Sequence, residues 1–211
     1  MLAGESIYLL PYLRKTFQTS MELVFQISGI EVGWLNTVFG ILAVASYFPS
    51  GWLADRIPAR RLLTFSLLST SAGGFFMFTI PTYPQLLVLH ALWGITSILT
   101  FWAALIKATR NWGDSGNQGI SFGLLDGGRG VVAALVASLA TTAYALAGNV
   151  EESLRNVLLI YSIAPLVAGV LIWFVIPDRQ YEGNRTGKQP RNRTERGDVR
   201  AALRMPQVWL I

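Results

Sequence analysis

Long apolar runs alternate with short polar segments along the whole chain. A helix needs about 20 apolar residues to cross a bilayer core of roughly 30 Å. Five runs reach this length with few or no charged residues: 32–54, 62–80, 85–107, 119–147 and 154–176. Turns rich in proline, glycine, asparagine and aspartate separate them. The pattern therefore predicts membrane-spanning helices and an all-α integral membrane protein.

The two ends of the chain break this pattern. Residues 1–13 are apolar over only about half a span before they meet Arg14 and Lys15. We expect them to form the outer end of a truncated first helix that starts upstream of the chain. After a polar stretch, residues 206–211 read as the start of a seventh helix. The sequence thus predicts a bundle of six transmembrane helices, its first helix truncated, over residues 1–177 of a longer protein.

The composition supports lipid as the solvent. The chain is 52% hydrophobic and 14% charged, whereas a soluble domain carries about 25% charged residues. Its net charge of +5 is distributed between apolar runs rather than on one face, so we expect no nucleic-acid partner. With no cysteine and one histidine, the sequence predicts no metal site, no cofactor and no enzymatic centre.

Basic residues predict the orientation in the membrane. The loops after the second and fourth spans, together with the segment after the sixth, hold 13 of the 17 lysines and arginines. Short loops rich in these residues stay on the cytoplasmic side. Residues 178–205 are basic, polar, glycine-containing and mixed in charge, which is typical of a flexible linker. We therefore expect a cytoplasmic linker between two membrane halves.

The loop between the second and third spans reads GWLADRIPARR, residues 51–61. It resembles the signature of the major facilitator superfamily, Gly-x-x-x-Asp-Arg/Lys-x-Gly-Arg-Arg/Lys. Pro58 and Ala59 depart from this pattern. Three residues match in place and a fourth fills the final basic position: Gly51, Asp55, Arg56 and Arg60.

This resemblance implies a fold and a mechanism. Family members pair two six-helix halves, each built from three-helix repeats in inverted topology, and bind substrate near the middle of the membrane. The second half would be a missing C-terminal part or another copy of this chain. The signature loop would act as a conformational latch, although its arginines could instead serve only to set the topology. The latch residues are Gly51, Asp55, Arg56, Arg60 and Arg61.

The fifth span carries the most informative charges. Asp126 and Arg129 are three residues apart and therefore share one side of the helix. Ionisable residues at this depth usually face a bundle interior or a wet cavity. We predict that Arg129 attracts an anionic solute; the alternative is an ion pair that fixes helix packing. Small residues allow close helix approach, so we expect a neighbouring helix against Gly119, Gly123, Gly127 and Gly130.

Other candidates lie in the first, second and fourth spans. His90 and Gly94 have the spacing of an Arg-x-x-x-Gly pattern common in the family, with histidine replacing arginine. His90 could relay protons or be a hydrogen-bonded packing residue. Glu5 lies on the helix that lines the central cavity in the family. Tyr8 follows Glu5 on this helix, and weaker candidates for the pathway are Asn36, Trp93 and Trp102.

The resemblance implies a multi-pass transporter in the cell membrane. It would move a small polar solute by alternating access, driven by an ion gradient or by the solute's own gradient. The solute would be an anion if Arg129 faces the pathway. The alternative is a non-transporting membrane scaffold or sensor, or a truncated product that needs a second half. An integral-membrane enzyme is a third option, but the sequence lacks the clustered histidine or acidic ligands that it would need.

Overall fold

Every regular element in the described part of the chain is a helix. The computed structural model describes residues 1–112 and 118–176. The predicted linker over residues 178–205 and the predicted seventh helix at residues 206–211 lie outside the described residues. The helices are α1 (Leu2–Leu9), α2 (Arg14–Phe25), α3 (Gly29–Arg56), α4 (Ala59–Met77), α5 (Tyr83–Ile95), α6 (Ala103–Trp112), α7 (Gln118–Ala145) and α8 (Val150–Val175), with a π-helical segment (Thr96–Trp102) between α5 and α6.

Helices α1 and α2 form one bent helical path. Pro11 has no N–H to donate and interrupts the path, and Phe17 forms a second kink inside α2 with φ of -121°. Backbone bonds of 3.0 Å from Tyr12 to Tyr8 and from Phe17 to Leu13 connect the two helices across this region. The path thus continues to Phe25, beyond residue 13, where the sequence analysis ended the first span. It continues because the buried face resumes after two cationic residues with Phe17 and Met21.

Four helical stretches are long and apolar enough to cross a membrane within the described ranges: Gly29–Arg56, Tyr83–Arg110, Gln118–Ala145 and Val150–Val175. These confirm the all-helical membrane class. The α1–α2 path is divided at Pro11 into two short helices, and α4 carries two arginines and five serines or threonines. Six membrane spans therefore stay a prediction.

Local capping explains where several helices begin. Ser28 and Glu31 form a capping box at the start of α3, with the Ser28 N–H donating to Glu31 Oε2 at 2.8 Å. Thr82 and Gln85 form the equivalent box for α5. Such boxes satisfy the N–H groups that the first helical turn leaves unpaired.

The helices pack in pairs through small residues. Helix α8 lies along α4, α3 lies along α5 and the π segment, and α1 contacts α7, α8 and α4. A Cβ atom at Gly94 would collide with the Phe39 carbonyl oxygen, so glycine is needed where α3 and α5 cross. Helix α7 is the least buried of the four membrane-capable stretches. Its open face includes Leu124, Val131 and Leu135.

Candidate functional site

An open cavity of about 590 Å³ lies between the α1–α2 path, α3, the π segment and α7. Its wall combines aromatic and aliphatic side chains with a few charged or polar groups, which is the usual make-up of a solute-binding site. The polar and aromatic lining includes Glu5, Tyr8, Tyr12, Lys15, Asn36, Trp102 and Arg129.

One face of the first helical path supplies four of these side chains. Residues three or four positions apart lie on the same side of a helix, and the spacing Glu5, Tyr8, Tyr12, Lys15 follows this rule across the turn at Pro11. The rings of Tyr8 and Tyr12 stack with their centroids 5.7 Å apart. The Lys15 ammonium lies 4.1 Å from the centroid of the Tyr12 ring, a favourable cation–π contact.

Arg129 of α7 is held between two carboxylates. Its Nε lies 3.6 Å from Glu5 Oε2, and its Nη1 lies 3.3 Å from Asp126 Oδ1. The Glu5 and Arg129 side chains are each 22% exposed, whereas Asp126 is 72% exposed. Because solvent screens exposed pairs strongly, we take Glu5 as the stronger partner. The predicted Asp126–Arg129 pair is present, and the structure adds Glu5 to it.

The Arg129 guanidinium, on the cavity wall, keeps one N–H without a hydrogen-bond acceptor among the described residues. Arg129 Nε is buried and makes no hydrogen bond within the described residues, since the 3.6 Å distance to Glu5 is too long for one. The Arg129 guanidinium carbon also lies 5.6 Å from the centroid of the Trp102 ring. A planar fork of N–H donors fits an oxyanion well. The arrangement can therefore bind an anion if Glu5 moves aside.

Helix α7 meets α1 at a different glycine from those predicted. A Cβ atom added at Gly119, Gly123, Gly127 or Gly130 would have no neighbour within 4 Å, whereas one at Gly128 would collide with the Met1 side chain. On the facing helix, a Cβ atom at Gly4 would lie 2.9 Å from Arg129 Cδ. The predicted stripe followed Asp126, whereas Gly128 and Arg129, on another side of α7, contact α1.

The remaining pathway candidates divide into two groups. Asn36 lies on the cavity wall, and its Nδ2 donates to the Val32 carbonyl oxygen at 3.3 Å. His90 and Trp93 are each 1% exposed and do not line the cavity. The His90 Nδ1 lies 2.9 Å from the Leu86 carbonyl oxygen. His90 thus has the geometry of a hydrogen-bonded packing residue.

Sequence reasoning missed Lys15 as a cavity residue and gave Trp102 little weight. The three- or four-residue spacing from Glu5 to Lys15 was a usable signal, but the proline and the paired charges read as the end of a helix. No comparable spacing marked Trp102, because the direction of its side chain depends on the π segment, of which it is the last residue.

The signature loop is tied to other helices of this chain. Lys107 Nζ on α6 donates to the Ala54 carbonyl oxygen at 2.7 Å and lies 3.4 Å from Asp55 Oδ1. Arg56 stacks on Trp52 of α3, with its guanidinium carbon 3.8 Å from the ring centroid.

The other residues of the predicted latch lie at the start of α4 and near the end of α3. Arg60 stacks on Trp173 of α8 at 4.3 Å, which ties α4 to α8. Arg61 is exposed in the first turn of α4, and a Cβ atom at Gly51 would have no neighbour within 4 Å. Within residues 1–112 and 118–176, no three acidic or histidine side chains cluster as a metal site.

Comparisons with known proteins agree with the signature. The family model described as Major Facilitator Superfamily matches residues 5–211. Inner membrane protein YihN of Escherichia coli (strain K12) is 29% identical over 210 residues, which cover 100% of this chain and 50% of that protein. Inner membrane protein YqcE of the same strain is 31% identical over 201 residues, covering 95% of this chain and 47% of that protein.

A more distant relative carries a transport name. The probable nitrate/nitrite antiporter NarK1 of Thermus thermophilus is 23% identical over 192 residues, covering 88% of this chain and 41% of that protein. The chain spans about half the length of the curated relatives it matches. No solved structure matches it significantly.

Proposed function

The chain belongs to the major facilitator superfamily, and we propose that, together with a second six-helix half, it transports a small anionic solute. As a multi-pass membrane protein it would work by alternating access, in which the two halves rock about a central site. The second half would be a C-terminal part of the same polypeptide or another copy of the chain. We propose no enzymatic activity.

The observation that carries this proposal is the position of Arg129. Its guanidinium lies on the wall of the 590 Å³ cavity with one buried N–H unused. Charge interactions strengthen where water is scarce, so an anion that displaces Glu5 from Arg129 would be held firmly. The stacked rings of Tyr8 and Tyr12 would support the uncharged part of the solute.

The signature loop would act as the latch of the transport cycle. In our proposal Asp55 leaves Lys107 in one state and meets a helix of the second half in the other. Because Asp55 is 81% exposed, little desolvation opposes such an exchange of partners. The open face of α7 with Gly119, Gly123, Gly127 and Gly130 is where we expect the second half to pack.

Uptake by proteoliposomes tests the role of Arg129. We would reconstitute the full-length gene product and supply radiolabelled nitrate, phosphate or glucose 6-phosphate, with glucose as the neutral comparison. Nitrate is included because of the name of the Thermus relative. We expect Arg129→Gln to reduce anion uptake by about 100-fold, the effect of losing a charged hydrogen bond of roughly 3 kcal/mol.

The matched control is Arg155→Gln. Arg155 also pairs with an acid on its own helix, Glu151 at 3.0 Å, but it does not line the cavity. It should leave uptake unchanged. Equal uptake by the Arg129→Gln protein and the parent would overturn the assignment, and so would transport of glucose in preference to every anion.

A further inference from the structure

The long helical stretch that carries His90 and Lys107 has a π-helical segment, Thr96–Trp102, in its middle. π-helical turns are rare and occur frequently at functional sites. This one supplies two residues of the cavity wall, Ile98 and Trp102. The segment therefore determines part of the surface that a solute would meet.

A π turn holds one more residue than an α turn, so it changes the direction of every later side chain by about 100°. In the present register Trp102 faces the cavity next to Arg129, and Phe101 is 0% exposed in the core. If the segment returned to α-helical register with α5 fixed, Phe101 would take the direction of Trp102.

A relay of hydroxyl groups contacts this segment. The Thr100 hydroxyl donates to the Thr96 carbonyl oxygen at 2.8 Å, and the Ser66 hydroxyl of α4 contacts the Thr100 hydroxyl. Each hydroxyl has one proton. Besides Thr100, the Ser66 hydroxyl reaches two carbonyl oxygens as a donor, Thr96 at 3.2 Å and Leu62 of its own helix at 2.9 Å, so it contacts both members of the Thr96–Thr100 pair. Both hydroxyl residues are buried, Ser66 at 0% and Thr100 at 8% exposure.

We propose that Ser66 and Thr100 are positioning residues that hold the π register and so keep Trp102, rather than Phe101, beside Arg129. A helix inside a membrane has no water to satisfy a carbonyl freed from its regular ladder, and hydroxyl side chains take over that role. Here the Thr96 carbonyl receives the Thr100 donor, and Ser66 fixes Thr100 from the neighbouring helix.

Cysteine labelling tests the register without any substrate. The chain has no cysteine, so Trp102→Cys and Phe101→Cys each introduce a single thiol into the full-length protein. We would measure the rates of reaction with a charged methanethiosulfonate reagent in detergent. In the parent register the Trp102→Cys thiol should react and the Phe101→Cys thiol should be protected.

Removing either hydroxyl should alter this preference. We expect Ser66→Ala and the isosteric Thr100→Val to raise the rate at position 101 relative to position 102 by about fivefold, the shift given by loss of one hydrogen bond. Thr100→Ser keeps the hydroxyl and should restore the parent ratio. The matched control is Ser71→Ala, because Ser71 is equally buried on α4 but donates to the Ser162 carbonyl oxygen of α8 at 2.8 Å.

An unchanged ratio in both Ser66→Ala and Thr100→Val would overturn the proposal, as would an equal change in Ser71→Ala. If Phe101→Cys does not fold, Ala103→Cys replaces it. The half-buried position 103 should lose reactivity in Ser66→Ala, as it rotates to where Ala104 is now buried. Labelling does not depend on transport, so this proposal and the transport proposal can fail separately.

Discussion

At the scale of single residues, the cavity shows what local sequence can and cannot predict. The pairing of Asp126 with Arg129 follows from their spacing on one helix. The contact between Arg129 and Glu5 joins residues 124 positions apart, and nothing in either local stretch encodes it. It depends on the close approach of α1 and α7, which Gly4 and Gly128 permit.

Gln26 offers a residue-scale test of the first helical path. It ends α2 in the left-handed conformation, with φ of 53°, which costs a non-glycine residue about 1 kcal/mol. We predict that Gln26→Gly raises the free energy of unfolding by about that amount, since glycine adopts this conformation freely. Thermal unfolding in detergent, followed by circular dichroism, would measure it.

The same substitution inside α2 is the control. Gln18 is exposed and helical, and its side chain donates to Glu22 Oε1 at 2.8 Å. Gln18→Gly should therefore lower stability by about 1 kcal/mol. If Gln26→Gly and Gln18→Gly changed the free energy of unfolding in the same direction, the left-handed conformation of Gln26 would be contradicted.

At the scale of elements, the bilayer makes part of this fold predictable. A membrane span needs a long apolar run, and α3, α7 and α8 each contain one. The π segment between α5 and α6 could not be predicted in this way. The apolar run would look the same in the sequence with or without a π turn. The continuation of the first helical path past Pro11 was also missed in the sequence. Arg14 and Lys15 were interpreted as the end of a helix, whereas α2 begins at Arg14 and runs to Phe25.

Lys107 joins two elements at the predicted cytoplasmic end. Its ammonium donates to the Ala54 carbonyl oxygen in the last turn of α3, where the helix dipole favours a cation. We predict that Lys107→Met lowers the free energy of unfolding by about 1–2 kcal/mol, because a charged hydrogen bond to a helix end is lost. Arg110→Met, on the same helix, should have little effect in the same unfolding assay.

Asp55→Asn separates stability from the latch. The exposed Asp55–Lys107 pair should contribute well under 1 kcal/mol, so this variant should unfold like the parent. If the latch proposal is correct, the full-length Asp55→Asn protein should nevertheless transport anions more slowly. Parent-like stability together with parent-like uptake would remove Asp55 from the latch.

At the scale of the whole molecule, the distribution of basic residues predicts one orientation. The signature loop, Lys107 and Arg110 lie at one end of their helices, and the distribution of basic residues predicts that this end is cytoplasmic. The first turns of α3 and α5 and the last turn of α4 then lie on the opposite side. At the predicted cytoplasmic end, Arg56 stacks on Trp52 and Arg60 stacks on Trp173. Both contacts fit a membrane interface, where tryptophan is enriched.

Labelling of single cysteines in intact cells would test this orientation. We predict that Asn184→Cys, in the predicted linker, reacts with a membrane-impermeant thiol reagent only after the cells are opened. Thr79→Cys, exposed just after α4, should react from outside. Because the chain has no cysteine of its own, each signal reports one position. The reverse pattern would invert the topology and place the arginine-rich loop outside, where neither the positive-inside rule nor a cytoplasmic latch could account for it.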